Sequence, residues 1–146
     1  MATLQQDEIL QIIETAYQNN EPPNFKGADL SGTNLSFVKL SRADLTGANL
    51  TGVDLLGADL SFANLRGANL SEANLVKANL TGADLSNAYL AGSDLFRVNM
   101  MWTNLTGADF NEAYLGEVNL RAAKYNNLTT WPEGFELENT DAVKVA

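Results

Sequence analysis

A period of five residues runs through most of the sequence and constrains the fold more than any other feature. From Phe25 to Leu120, a large apolar residue stands at every position divisible by five, which makes twenty repeats. Seventeen of these centres are Leu, and the exceptions are Phe25, Met100 and Phe110. An α-helix repeats every ~3.6 residues and a strand every ~2, so neither keeps all the centres on one face. The sequence therefore predicts a solenoid.

Two other positions of each repeat are also restricted. The residue two before the centre is Ala in twelve of twenty repeats, and the residue before the centre is Asn or Asp in seventeen. If each pentapeptide forms one side of a square coil, the centre and the residue two before it point inward, and the other three face water. Nine glycines at the second position after the centre suit corners where a Cβ would be strained. Twenty sides give five coils, roughly 24 Å long at the usual strand spacing.

The repeats resemble those of the pentapeptide-repeat family, whose motif A-(D/N)-L-x-x is seen in the segment Ala43-Asp44-Leu45-Thr46-Gly47. The resemblance covers residues 23–122 and implies a β-solenoid, a right-handed quadrilateral parallel β-helix with four repeats per coil. The segment from Tyr125 to Phe135 is similar to the Y-x-x-x-T-x-W-P-x-G-F ending of many members from photosynthetic bacteria.

The two ends of such a stack need caps, because they would expose unpaired backbone and apolar core. Thr3 and Gln6 predict a capping box for a helix over about residues 4–19, which should end before Pro22-Pro23 and cover the first coil. Membrane-surface binding is the alternative for this helix, but it is acidic and lacks Lys and Arg, so anionic lipid would repel it. We therefore expect a cap and no membrane insertion.

The C-terminal segment is expected to form an irregular aromatic cap. Tyr125, Trp131 and Phe135 should lie over the fifth coil, and residues 136–146 are expected to be frayed. The predicted organisation is one domain with three parts: a capping helix and linker over residues 1–22, the β-helix over 23–122, and the cap and tail over 123–146.

The composition argues against an enzyme. The chain has no Cys and no His, so thiolate chemistry, the commonest general base and the commonest zinc ligand are missing. The outward Asn and Asp residues form vertical columns twenty residues apart in which no Asp stands directly above another. Solvated or turn-bonded side chains are therefore expected instead of a catalytic dyad or a calcium ladder. We expect no catalytic residues, no metal and no cofactor.

The net charge of −9 raises the possibility of a DNA mimic. Family members that confer quinolone resistance bind DNA gyrase, so inhibition of a type II topoisomerase is the alternative function that the resemblance implies. Most of the acidity lies outside the repeats, however, because residues 24–122 hold ten acidic and seven basic side chains. A non-enzymatic binding or scaffold protein that does not bind nucleic acid directly is the favoured interpretation.

The start of the sequence indicates no export. It lacks the basic and apolar regions of a signal peptide, and no run of about 18 apolar residues occurs. A cytoplasmic protein is expected, although the mature form of an exported or lumenal precursor would look the same.

A candidate binding surface comes from large apolar residues at outward positions. At the first position after the centre, one side carries Leu56, Val76 and Phe96 as vertical neighbours, which form a ridge. Such residues could merely support their own stack, as cross-strand pairs do, yet they collect on two sides of four. Aromatic residues and Met are also enriched at interfaces. We expect a protein partner or a second copy of this chain to dock there, on a surface that comprises Phe37, Leu56, Phe62, Val76, Phe96, Met101 and Trp102.

Overall fold

The five-residue period produces a parallel coil in the computed structural model, which describes residues 2–146. Seventeen isolated parallel bridges join residues twenty positions apart, from Asn24 with Asp44 to Asn104 with Lys124. Backbone hydrogen bonds join the same consecutive coils, as when the Leu65 N–H donates to the Asp84 carbonyl over 2.7 Å. Four pentapeptides therefore complete one turn, and the outward columns are those expected from the sequence.

The inward positions carry the core. All twenty centres are buried, and Leu65 in the middle of the stack has no exposed surface. The small residues two before the centres are buried with them except at Ala28, Thr33, Val38 and Val118, which lie in the first and last coils. The predicted inward phase is correct, and the interior is one continuous apolar column.

The corners of the coil use the left-handed backbone region. The nine glycines at the second position after the centre have φ between +62° and +71°. This confirms the corner role expected for them. Side chains occupy the same conformation elsewhere, including the aromatic residues Phe37, Phe62 and Trp102, each with φ +58°. A residue with a Cβ is strained there by about 1 kcal/mol.

The helix at the N-terminus is α1, Gln6–Gln18, and it begins later than the sequence indicated. Its capping box is formed by Gln5 and Glu8, so the predicted box of Thr3 and Gln6 is wrong. Thr3 instead forms a parallel β-bridge with Asp29, and the Leu4 N–H donates to the Asp29 carbonyl over 2.8 Å. The first residues thus extend the coil before the helix starts.

Helix α1 lies across the open end of the first coil. Ile9 and Ile13 are buried in the same apolar cluster as the repeat centres, whereas Leu10 on the other face is 43% exposed. The Tyr17 hydroxyl donates to the Lys39 carbonyl over 3.0 Å, and the Gln6 side-chain amide accepts from the Asn34 N–H over 3.0 Å. These side chains provide hydrogen-bond partners for backbone groups of the first coil, which has no coil above it. None of the described helices is long and apolar enough to cross a membrane.

The C-terminal segment stacks aromatic rings below the last coil. The Trp131 ring lies 5.0 Å from the Phe110 ring and 5.3 Å from the Phe135 ring, and Tyr125 meets it edge-on at 5.8 Å. Phe110 is a repeat centre, so these stacked rings continue the core.

The expected fraying of residues 136–146 is wrong. A 3-10 turn spans Leu137–Asn139, and strand β1, Lys124–Tyr125, pairs in parallel with strand β2, Val143–Lys144. The Val143 N–H donates to the Ala123 carbonyl over 2.7 Å. The tail is held because the chain after the last repeat still offers an unpaired strand edge.

Candidate functional site: an apolar side of the coil

The side of the coil that contains Leu35, Leu55, Leu75, Leu95 and Leu115 is here named the apolar side. At its first outward position, Leu56, Val76 and Phe96 follow one another in consecutive coils. The Gly57 N–H donates to the Val76 carbonyl and the Lys77 N–H to the Phe96 carbonyl, each over 2.9 Å. All three ridge side chains are half-buried. The structure therefore brings these predicted residues together as one continuous ridge.

Turn bonds from the preceding Asp or Asn residues hold the ridge in place. The Oδ1 atoms of Asp54, Asn74 and Asp94 accept hydrogen bonds of 3.1 Å from the N–H groups of the ridge residues two positions later. The Asn74 amide also donates to the Asp54 carboxylate of the coil above over 3.1 Å. These side chains are turn-bonded, as predicted, and the interleaved Asn pairs with its Asp neighbour instead of repelling it.

The lower end of the ridge is an aromatic cluster that the sequence did not reveal. The Phe96 ring stacks on the Tyr114 ring at 6.0 Å, and the Arg97 guanidinium lies 5.1 Å from the Phe96 ring centroid. Arg97 also pairs with Glu117 in the next coil, with Nε and Oε2 2.5 Å apart. Tyr114 is 58% exposed and extends the apolar ridge by one coil. In the sequence, the only indication of this role was that a Tyr stands before the centre Leu115, where seventeen repeats have Asn or Asp.

The other predicted residues lie around the ridge. Phe37 occupies the corner next to it, where its ring covers Gly57 of the following coil. Phe62 covers Gly82 at the next corner, and Trp102 stands at that same corner two coils below Phe62. Met101 precedes Trp102 and is half-buried. Phe62, Met101 and Trp102 thus belong to the adjacent side and not to the ridge itself.

The side opposite the ridge is polar. Its outward residues include Thr46 and Thr106, whose hydroxyls donate to the preceding Asp44 and Asn104 side chains over 2.6 and 2.8 Å. Its corners carry Gly27, Gly47, Gly67 and Gly107. The comparison shows that large outward apolar groups are not needed to build a side of this coil.

The hydroxyl beside Asp44 gives a prediction about its ionisation. The Thr46 hydroxyl and N–H both donate to the carboxylate, which lowers the pKa of Asp44 below its ordinary value. Thr46→Val should raise that pKa towards the ordinary value, as measured by NMR titration of the carboxyl carbon. The ionised carboxylate stabilises the fold above its ordinary pKa, and this contribution is lost as pH falls through the lower folded value. Thr106→Val, next to the uncharged Asn104, should leave the Asp44 titration unchanged; an equal shift in both variants would contradict this assignment.

Comparisons with known proteins agree with the geometry. The family model for pentapeptide repeats matches residues 24–57, 58–95 and 83–121, with eight copies. A pentapeptide repeat protein from Nostoc PCC 7120 is 31% identical over 94% of this chain and 95% of its own, with a TM-score of 0.58. One from the cyanobacterium Cyanothece 51142 is 26% identical over 84% and 98%, with a TM-score of 0.56. One from the Arabidopsis thaliana thylakoid lumen is 31% identical over 71% and 69%, with a TM-score of 0.44. Comparison with curated proteins gave no match.

Proposed function

We propose that this chain, which belongs to the pentapeptide-repeat family, is a non-enzymatic binding or scaffold protein. The family fold, a right-handed quadrilateral β-helix, is the basis of this proposal. The partner we propose is a protein that docks on the apolar side. The observation that carries the proposal is the collection of large outward apolar residues on two adjacent sides. The opposite side has hydroxyls, glycines and the basic residues Lys26 and Arg66, and the fourth side exposes one large aromatic residue, Tyr89.

The exposure of the corner aromatics supports a binding role. Phe37, Phe62 and Trp102 are 72%, 59% and 60% exposed. Each stands in a left-handed backbone conformation that glycine adopts without strain. A mostly exposed ring gains little from burial to offset that strain. Contact with a partner would bury these rings, together with Leu56, Val76, Phe96 and Met101 of the predicted surface.

The finer architecture is also a proposal. We infer five coils over residues 23–122, closed by the segments 1–22 and 123–146, and all three parts fold as one unit. The burial of Ile9 against the first coil and the stacking of Trp131 on Phe110 support this organisation. Helix α1 and the stacked aromatic rings cover most of the two ends, and the sides of the rod remain as a surface for docking.

A double substitution tests the docking side. Val76→Ser with Phe96→Ser should lower affinity for a protein partner at least about tenfold, since each truncation removes one to two kcal/mol of interface burial, about one factor of ten per 1.4 kcal/mol. The measurement is quantitative affinity capture from the source organism with wild-type and variant proteins, followed by sedimentation for self-association. Thr46→Ser with Thr106→Ser is the matched control on the opposite side. Unchanged capture by a variant that melts like the parent would remove the apolar side as the site.

The alternative function is inhibition of a type II topoisomerase by mimicry of DNA. The columns of outward residues speak against it, because Asn amides donate to Asp carboxylates between coils, as Asn49 does to Asp29 over 3.2 Å. Two of the four columns alternate Asp with neutral side chains, and none repeats the even charge of a phosphate backbone. A DNA supercoiling assay with added protein separates the two functions, and inhibition at stoichiometric protein would favour the alternative.

The cytoplasmic location stays a prediction from the sequence. Fractionation of cells with an antibody against the chain tests it. Recovery from an exported or lumenal fraction would overturn it.

A further inference from the structure

One side of the last coil ends in an unpaired strand edge. In the coils above, the centre N–H groups of the apolar side donate to the next coil, as Leu75 does to Asp94 and Leu95 does to Tyr114, each over 2.8 Å. The N–H groups at the corners do the same, as when Arg97 donates to Gly116 over 2.9 Å. Among residues 2–146, the equivalent groups of Leu115 and Glu117 find no acceptor.

The other three sides of the last coil are at least partly covered. Leu105 donates to the Lys124 carbonyl over 2.7 Å, Phe110 donates to the Thr130 carbonyl over 2.9 Å, and Ala122 donates to the Asp141 carbonyl over 2.9 Å. Within the described part of the chain, only the apolar side leaves both its centre and its corner donor unpaired. Leu115 is also 7% exposed, whereas Leu35, Leu55, Leu75 and Leu95 are at most 1% exposed.

A cleft adjoins this edge. It has a volume of about 290 Å³ and lies between Ala113–Gly116 of the last coil and Pro132–Phe135 of the C-terminal segment. One more pentapeptide would fit beside this edge, because it would accept hydrogen bonds from Leu115 and Glu117 as each repeat of this side accepts them from the repeat above it. An extended peptide added to a free sheet edge gains main-chain hydrogen bonds, and pockets for alternate side chains give specificity.

The charges around the cleft indicate that a bound segment should be basic. Residues 111–141 hold six acidic and two basic side chains, and Glu133 lines the cleft itself. The corner column above the edge reads Lys77, Arg97 and Glu117, with Arg97 and Glu117 paired. A basic residue below Glu117 would give this carboxylate a second basic neighbour beside Arg97, and Lys77 and Arg97 show that basic residues adopt the corner conformation, with φ +59° and +57°. A second copy with net charge −9 fits this acidic edge poorly.

We propose that this edge binds an extended basic peptide segment of a partner protein by strand addition, as the next side of the coil. The register of the repeats defines its chemistry. A small residue lies under Ala113, a large apolar residue under Leu115, and Lys or Arg under Glu117. The site is separate from the docking ridge at Leu56, Val76 and Phe96, so it does not depend on the proposed function.

Fluorescence polarisation with a labelled Gly-Ser-Ala-Thr-Leu-Ser-Lys-Gly peptide and the full chain tests the proposal. Saturable binding is expected, and Glu117→Gln should weaken it about fivefold, the upper range for an exposed charge pair. Glu138→Gln is the matched control, because Glu138 belongs to the 3-10 turn Leu137–Asn139 and not to the corner of the last coil that would meet the peptide's Lys. A peptide with Asp in place of Leu should not bind, and Val76→Ser on the ridge should leave peptide binding unchanged.

Amide hydrogen exchange locates the peptide. Free protein should exchange quickly at Leu115 and Glu117, and both amides should become protected when the peptide is added. The proposal is overturned if the peptide fails to bind at about 1 mM, or if it binds without protecting these two amides. Protection that rises with protein concentration in the absence of peptide would instead assign the edge to a second copy.

Discussion

Leu65→Lys is expected to abolish folding at 25 °C. Leu65 has no exposed surface and lies in the middle of the apolar column, with coils above and below. The change removes about 2 kcal/mol of apolar burial and forces an unpaired ammonium group into the core, which costs several kcal/mol more. The sum is comparable to the whole stability of a domain of this size, about 5–15 kcal/mol. Circular dichroism with thermal melting measures the result.

Asn64→Lys is the matched control for this variant, one residue earlier and at an outward position. Asn64 is half-buried at the surface, and its Oδ1 accepts from the Arg66 N–H over 3.2 Å. Loss of that turn bond should lower the free energy of unfolding by about 1 kcal/mol. If Leu65→Lys melted like the parent, the inward phase of the repeats would be wrong.

Ile9→Asp is expected to give the second largest loss, because it removes the contact between helix α1 and the first coil. Ile9 has no exposed surface and belongs to the same apolar cluster as the repeat centres. Burial of an unpaired carboxylate there should reduce the free energy of unfolding by about 3–5 kcal/mol and expose Phe25 and its neighbours to aggregation. Urea unfolding and light scattering measure both effects.

The neighbouring residue supplies the control for the helix. Leu10→Asp adds the same charge to the opposite face, where Leu10 is 43% exposed, and should change stability by less than about 1 kcal/mol. Equal losses in the two variants would show that the charge on the helix matters and that its contact with the coil does not.

The body of the fold could be predicted because its signal is repeated twenty times. A residue other than Leu at one centre, such as Met100 or Phe110, does not change the period. The period alone places Leu65 inside and Asn64 outside. The vertical neighbours followed from four repeats per turn, which the family resemblance supplied.

The ends could not be predicted to the same level, because each is a single copy of a local pattern. Ala2-Thr3-Leu4 has the small, polar, Leu order of a repeat, but it stands apart from the others, and the capping-box pattern of Thr3 with Gln6 competed with it. The order of residues 137–145 depends on contacts with Ala123 and Tyr125, and no local propensity reports such long-range pairing.

The candidate site, like the fold, could be predicted only in part. The ridge of Leu56, Val76 and Phe96 was predictable because columns follow from the period. The contribution of Tyr114 was not, since it depends on the side-chain rotamer that stacks its ring on Phe96, and a sequence pattern does not specify that rotamer. The gap beside Leu115 was also hidden, because it results from the path of the C-terminal segment.

Site-specific photo-crosslinking shows whether the apolar side docks a protein. A photoreactive amino acid is placed at position 76 on the ridge, or at position 46 at the equivalent point of the opposite side, and the full chain is irradiated in cells of the source organism. We expect a discrete protein adduct from position 76 and none from position 46. Equal adducts from both positions, or none from position 76 in a protein that melts like the parent, would contradict this expectation.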